Sequence, residues 1–375
     1  METLNPTENL DWLSQMDIAG EPQLLKSILV ACVSSQLPDP LSIFIGGSSS
    51  SGKSTLVKAV LENLTPRSWW ENTVISEISP KVLSKFEPDF FKHKIIFIDE
   101  THGRSDDVDY QLRIVQSEGK FQRWVTGKGG ESTKETINGP VTIIDTTSDD
   151  FNSHKEDNLN RAIIVQTDES QTQTENILIS QAKAIAAPKK INTDFFKPYR
   201  QHLSKLKKIA VYVPYAENII PKTRRLQERR DFPKINRVIR TIALMRQFDK
   251  PTRKSDLGEA YLEADFQDYE SAYSILNYMF QATVHTSDTL KYHFSALKKG
   301  LKKKEIFNAR DFENHTGLKS TRTKIVLKKM VEEGFITQES IARGNQFALY
   351  KLSKVEPKRC NFLVTPDELK QALTK

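Results

Sequence analysis

Cysteine is nearly missing from this chain: Cys32 and Cys360 are the only two in 375 residues. Two thiols so far apart in sequence give no disulfide framework and suit a reducing cytoplasm. The seven histidines (His93, His102, His154, His202, His285, His293 and His315) pair with no cysteine at ligand spacing, which argues against a zinc site. Long apolar runs are also missing. No stretch approaches the roughly 20 residues that a membrane helix needs, so no membrane partner is expected. Met1 to Gly20 is polar and acidic, unlike a signal or transit peptide. No internal repeat is evident.

What is present is a globular composition, 27% charged and 38% hydrophobic, at a length that suggests two or three domains. The net charge of +7 is unevenly placed. Between Lys291 and Met330 twelve Lys or Arg face three acids, so the basic excess is concentrated in the last third. That pattern suggests a polyanionic partner, most simply DNA, with a solvated helix face as the competing reading.

The most specific signal is Leu41 to Thr55. Gly47, Gly52, Lys53 and Ser54 fit the pattern G-x-x-x-x-G-K-[ST], between an apolar strand (Leu41, Ile43, Phe44, Ile45) and a helix with Leu56, Val57, Val60, Leu61 and Leu64 on one side. A Ser/Gly linker would not sit between a buried strand and an amphipathic helix. Glycines let successive N–H groups turn inward around phosphates, and the helix start adds partial positive charge. The loop Gly47, Ser48, Ser49, Ser50, Ser51, Gly52, Lys53, Ser54 and Thr55 is thus the expected ATP site. Lys53 would reach the β/γ-phosphates and Ser54 would ligate Mg²⁺.

Lys94 to Glu100 reads as a buried strand ending in two carboxylates. Asp99 would hold Mg²⁺ through its water shell, and Glu100 would act as general base on the attacking water. Val141 to Ser148 is a further buried strand with hydroxyl residues at its end. Thr147 is the expected γ-phosphate sensor, with Thr146 and Ser148 as alternatives. Arg161 precedes the strand Ala162 to Val165 and is placed to reach the nucleotide of a neighbouring subunit.

This order of motifs resembles the AAA+ ATPases, and within them the minichromosome-maintenance helicase branch. It is more closely similar to primase-associated ATPases of phages, plasmids and integrative elements. Ile78 to Leu83, Gln111 to Phe121, Ile137 to Val141 and Asp168 to Ser170 carry that closer likeness, which covers roughly residues 20–250. Replicative helicases usually carry alanine before the lysine of the loop, and they have a long N-terminal DNA-binding collar. Both departures count against autonomous processive unwinding.

The resemblance implies an α/β fold: a three-layer P-loop (AAA+) core with a mainly parallel sheet, a helical lid and a C-terminal winged-helix domain. The expected divisions are a loose arm (1–20), the ATPase core (21–185), a mostly helical lid and connector (186–300), the winged helix (301–355) and a tail (356–375). Strands Phe121–Thr126 and Ser132–Ile137 around Gly127 to Gly130 resemble a pore hairpin, with Lys128 at its tip and Lys134 gripping DNA phosphates. Arg229 to Arg240 resembles the start of the second sensor helix, with Pro233 in its first turn. Arg230 is the expected nucleotide contact and Arg237 the alternative. In the winged helix, Thr321, Arg322, Thr323, Lys324 and Lys328 would lie on or near the exposed face of a recognition helix, and Arg343 at the wing.

The function these features imply is ATP hydrolysis coupled to work on DNA, by a cytoplasmic homo-oligomeric ring, a hexamer. The role would be that of a replication helicase or initiator of a mobile element or phage, partnered by a primase or other replication protein. An ATP-switched helicase loader without unwinding activity, and the ATPase subunit of a defence system, are the alternative readings.

Overall fold

The computed structural model describes residues 4–76, 82–100, 105–126, 131–148, 161–186, 192–221, 228–284, 286–301, 306–318, 320–332, 334–340, 347–353 and 362–374. The chain divides into two compact units. The first comprises Met1–Ile219, Arg229–Phe280 and Thr365–Lys375; the second comprises Ile220–Glu228 and Gln281–Val364.

In the first unit, the helices α1 (Trp12–Gln15) and α2 (Pro22–Ser34) lead to β1 (Ile43–Gly46) and α3 (Lys53–Leu64). Then follow β2 (Val74–Ile75), β3 (Lys94–Ile98), α4 (Asp106–Glu118), β4 (Lys120–Thr126), β5 (Ser132–Asn138), β6 (Val141–Thr147) and β7 (Ile163–Gln166). Five of these strands form one sheet in the order β2-β3-β6-β1-β7, and every pairing in it is parallel. The fold is therefore mixed α/β around an all-parallel sheet. β1 and β6 are buried along their whole length, as strands of a sheet covered on both faces must be. Neither strand therefore alternates apolar and polar residues: β1 is apolar throughout, and β6 buries Thr142, Asp145, Thr146 and Thr147 as well.

Local chemistry sets the element ends. Ser105 accepts the N–H of Val108 at the start of α4, three acids occupy its first turn, and Gly119 closes it at φ 67°. One face of α4 (Val108, Leu112, Val115) packs with Ile96, Ile98, Val141 and Ile143 of the sheet and with Phe121 and Ile137 of the β4–β5 ribbon. The ribbon is thus anchored by one face in the core.

Residues 4–20 do not form a loose arm. Trp12 is fully buried and donates its indole N–H to Pro6 O at 3.0 Å, and Tyr199 donates to Asn9 at 2.6 Å. The polar composition of the segment concealed this single aromatic anchor.

After β7 come α5 (Gln171–Ala186), α6 (Lys197–Ser204), β8 (Ala210–Tyr212), α7 (Glu228–Met245), β9 (Arg253–Lys254), β10 (Ala260–Glu263) and α8 (Phe266–Val284). The three short strands make a second sheet, β8-β10-β9, within a stretch expected to be mostly helical. Pro233 lies inside α7 rather than in its first turn. It removes one backbone bond of the helix, and the buried stripe Ile235, Val238, Ile239 and Ile242 carries the helix past it.

In the second unit, α9 (Thr286–Leu301), β11 (Ile306–Asn308), α10 (Ala309–Thr316), α11 (Ser320–Glu332), β12 (Ile336–Ser340) and β13 (Leu349–Leu352) surround one core that includes Phe294, Phe307, Phe312, Leu327 and Met330. The strands form an antiparallel sheet, β11-β13-β12; β11 has no counterpart in the sequence reading. Asn308 caps α10 with a reciprocal capping box to Asp311, and Gly317 ends it at φ 71°. The final helix α12 (Pro366–Leu373) belongs to the first unit and starts at a second capping box, Thr365 with Glu368. Among the described residues no helix is long and apolar enough to cross a membrane.

Candidate functional site

The carboxyl end of β1 opens into the loop 47–52, which turns directly into α3. Gly52 sits at φ 86° and Ser50 at φ 69°, and no side chain caps the helix. The first N–H groups of α3 therefore head the helix without a side-chain acceptor, an arrangement that favours an anion. A Cβ on Gly47 would collide with the Thr167 hydroxyl, so the close approach requires glycine. Lys53 Nζ donates to Gly47 O and Ser48 O, both at 2.8 Å, and so folds its charge back across the loop. Burial lowers the Lys53 pKa, while Glu100, Glu169 and Asp99 oppose that shift. The N–H of Ser48 donates to the Glu169 carboxylate, which follows β7.

Parallel pairing brings the end of β3 beside this loop. The Ser54 hydroxyl donates to Asp99 Oδ1, and Lys58 Nζ lies 2.9 Å from Asp99 Oδ2. Burial pushes the Asp99 carboxyl up, but the hydrogen bonds from Ser54, Lys58 and Thr146 outweigh it and hold the group below its ordinary value. Glu100 stands in the left-handed region at φ 67°, a strained conformation for a residue with a side chain. Its N–H donates to Thr146 Oγ1 at 3.0 Å, and its Oε1 accepts from Ser148 Oγ at 2.6 Å. Lys53, Ser54, Thr55, Asp99, Glu100 and Thr146 line one cavity of about 260 Å³ with Ser49, Ser50 and Gly52. Backbone donors and an ammonium at one side fit a polyphosphate. The all-oxygen pair Ser54 and Asp99 fits a hard cation such as Mg²⁺.

The strand's two-residue period separates the threonines of β6. Thr146 lines the cavity. Thr147, the expected sensor, is 1% exposed and lies outside the lining, because adjacent strand residues face opposite sides.

Arg161 and Arg230 lie elsewhere. Together with Arg229, Lys234 and Arg237 they line a second cavity of about 360 Å³, which also touches Ser42 and Val141 at the amino ends of β1 and β6. Ser42 and Gly47 flank the four residues of β1 and are five residue steps apart, roughly 16 Å at about 3.3 Å per step. The expectation that Arg230 meets the nucleotide of its own chain is therefore corrected: α7 begins at the opposite end of the sheet. Lys234 donates to Ala162 O at 3.0 Å, tying α7 to the segment that carries Arg161. Arg237 and Arg240 both reach Asp39, at 3.2 and 2.6 Å.

The residues expected to meet DNA are distributed differently. Lys134 is exposed on β5, directly opposite Trp124. Arg322, Lys324 and Lys328 are exposed on α11, whereas Thr323 is fully buried on the same helix stripe as Val326, Leu327 and Met330. Thr323 departs from its expected place on or near the exposed face, because the i, i+3, i+4, i+7 period assigns it to the core. Lys128 and Arg343 lie outside the described residues, as do the side chain of Thr321, residues 77–81 and residues 158–160.

Sequence reasoning missed Lys58 and Glu169 as site residues, and it named Ser148 only as an alternative sensor, not as the partner of Glu100. Lys58 was legible, since it follows Ser54 by four residues on one helix face. Glu169 carries no local signal; the β1–β7 pairing alone delivers it. Among the described residues no cluster of three or more His, Cys, Asp or Glu could hold a metal by itself. No family model matches the chain, and no curated protein matches it.

Proposed function

We propose that the chain is an AAA+-type ATPase that hydrolyses ATP and directs the energy to DNA, as a replication helicase or initiator working in a homo-oligomeric ring. The observation that carries this reading is the convergence of Lys53, Ser54, Asp99, Glu100 and Thr146 on one polar cavity at the carboxyl end of a parallel sheet. In the proposed mechanism Lys53 exchanges its bonds to Gly47 O and Ser48 O for the β- and γ-phosphates. Ser54 and Asp99 would hold Mg²⁺, which would supply charge neutralisation for the phosphates. Glu100 takes the proton of the attacking water, oriented by Ser148 through its side chain and by Thr146 through its main chain.

The second cavity supports the ring. Its five basic side chains lie at the end of the sheet away from the phosphate loop, so they serve a nucleotide held by another subunit. Arg161 and Arg230 then stabilise charge developing on the γ-phosphate across a head-to-tail interface. In the second unit, two helices followed by an antiparallel sheet, with Arg322, Lys324 and Lys328 exposed on the second helix, support a winged helix that meets DNA phosphates.

The test is the ATPase rate with and without single- or double-stranded DNA, alongside particle size with ATP. Stimulation by DNA in a ring-sized particle is expected. A monomer that turns over ATP with no response to DNA would remove the DNA motor. Lys53→Ala is expected to abolish nucleotide binding, measured by titration of a fluorescent ATP analogue.

A further inference from the structure

The β4–β5 ribbon presents two faces of opposite character. On the inner face Phe121 and Ile137 are buried in the core, and Arg123 is paired with Glu135. The outer face carries Lys120, Gln122, Trp124 and Thr126 on β4, and Ser132, Lys134, Thr136 and Asn138 on β5. The ribbon contributes to that face two lysines, three hydroxyls, two amides and one indole; a carboxylate from outside the ribbon, Asp89, accepts from Asn138 at 2.6 Å, at the end of β5 away from Lys134.

Trp124 is 70% exposed at the middle of this face. The other three tryptophans of the chain are far less so: Trp12 is fully buried, Trp69 is 9% exposed and Trp70 is half-buried. Leaving an indole in water on an anchored ribbon forgoes a large apolar burial. Its neighbours do not shield it; they add charge. Lys134 is its direct cross-strand partner. With its amide oxygen turned toward them, Gln122 lies 2.9 Å from Lys120 Nζ and 3.2 Å from Lys134 Nζ, which gathers both ammonium groups at Gln122, two residues from Trp124 on the same face of β4.

We propose that this face is a stacking platform for single-stranded nucleic acid: Trp124 stacks on an unpaired base, while Lys120 and Lys134 hold the flanking phosphates. The proposal rests on the DNA-directed reading above and deepens it by naming the strand state of the ligand. An indole face flanked by ammonium groups suits a ligand that alternates π-faces with negative charges. A duplex offers its phosphates but buries its base faces, so it engages the lysines alone. The strand order of the ribbon fixes both lysines and the indole on one side whatever the loop joining the strands does.

The test uses the full chain and a labelled oligo-dT of about 20 nucleotides, with a duplex of equal length as the second arm. In the wild type, oligo-dT is expected to quench tryptophan fluorescence, and the duplex to leave it nearly unchanged. Trp124→Ala is expected to abolish the quench and to weaken oligo-dT binding roughly 5- to 150-fold, the range for losing one base stack. Trp124→Phe, which keeps a ring, is expected to recover most of the affinity, with duplex binding similar in all three proteins. A Trp124→Ala protein that binds oligo-dT like the wild type would overturn the platform alone, leaving the DNA reading intact. A wild type that binds neither oligonucleotide would overturn both. A Trp124→Ala protein that changes particle size at unchanged oligo-dT affinity would make the residue a subunit contact and would also overturn the platform.

Discussion

Ser148 donates its hydroxyl to Glu100 Oε1 at 2.6 Å, from the strand next to the one that Glu100 terminates. With Thr146 receiving the Glu100 N–H, one carboxylate is fixed from both its main chain and its side chain. A general base held in this way needs no reorganisation before it accepts a proton.

Glu100→Gln is expected to bind ATP and to lose turnover by about 10²- to 10⁴-fold, measured by phosphate release beside nucleotide titration. Turnover at the wild-type rate would remove Glu100 from the role of base.

The two threonines of β6 separate by the same logic. Thr146→Val removes the acceptor of the Glu100 N–H and is expected to slow turnover clearly more than Thr147→Val, whose side chain lies outside the cavity. Equal rates in the two variants would contradict this assignment.

Arg246 is the hub of a buried ion cluster. It reaches Asp268 at 2.6 Å, Asp265 at 3.0 Å and Glu8 at 3.0 Å, and Lys250 lies 2.7 Å from the same Asp268. Asp268 is fully buried, so Arg246→Met removes one of the two cations that compensate an enclosed carboxylate. A loss of about 3 kcal/mol in a urea unfolding experiment is expected, at the lower end of the range because Lys250 stays in place. A change below about 1 kcal/mol would contradict the cluster's role.

His202 is buried and its Nε2 lies 2.7 Å from Met245 O. Burial lowers its pKa, with the Met245 carbonyl, Asp249 and Glu8 opposing; burial also lowers the pKa of His93 and His293. The unfolded chain therefore takes up these protons more readily than the folded one. Their contribution to stability is complete above the ordinary value of 6.5 and is lost as the pH falls below it. The melting temperature is expected to be lower at pH 5.5 than at pH 7.5, and His202→Gln to show a smaller drop. A higher melting temperature at pH 5.5 would reverse the sign.

The parallel sheet and the phosphate-loop residues were legible because each rests on local pattern. Ile43 to Gly46 and Ile95 to Ile98 are apolar runs of strand length, Val141 to Thr147 is β-branched at every position but Asp145, and the loop spacing is fixed by backbone geometry. What failed depended on distance or direction. Thr146 and Thr147 differ only in which way a strand residue points. Arg230 belongs to a helix tied by the Lys234 ammonium to the carbonyl of Ala162, far away in sequence. Trp124 carried no signal in composition, since one tryptophan in a strand reads as core until the ribbon's inner face is known. Trp12 is the converse case, a buried anchor inside a polar stretch.

The separation of Arg161 from the phosphate loop by the length of the sheet makes the central claim testable by mixing two inactive proteins. Lys53→Ala is expected to bind no nucleotide while carrying an intact Arg161, and Arg161→Ala is expected to bind nucleotide while lacking the charge proposed to act in trans. Each alone is expected to be silent. Mixed in equal amounts, the two would form interfaces in which the nucleotide of one faces the arginine of the other, and ATP turnover is expected to return to a fraction of the wild-type rate. A mixture that stays silent while the wild type turns over ATP, or an Arg161→Ala protein that is fully active alone, would contradict a nucleotide site shared between subunits.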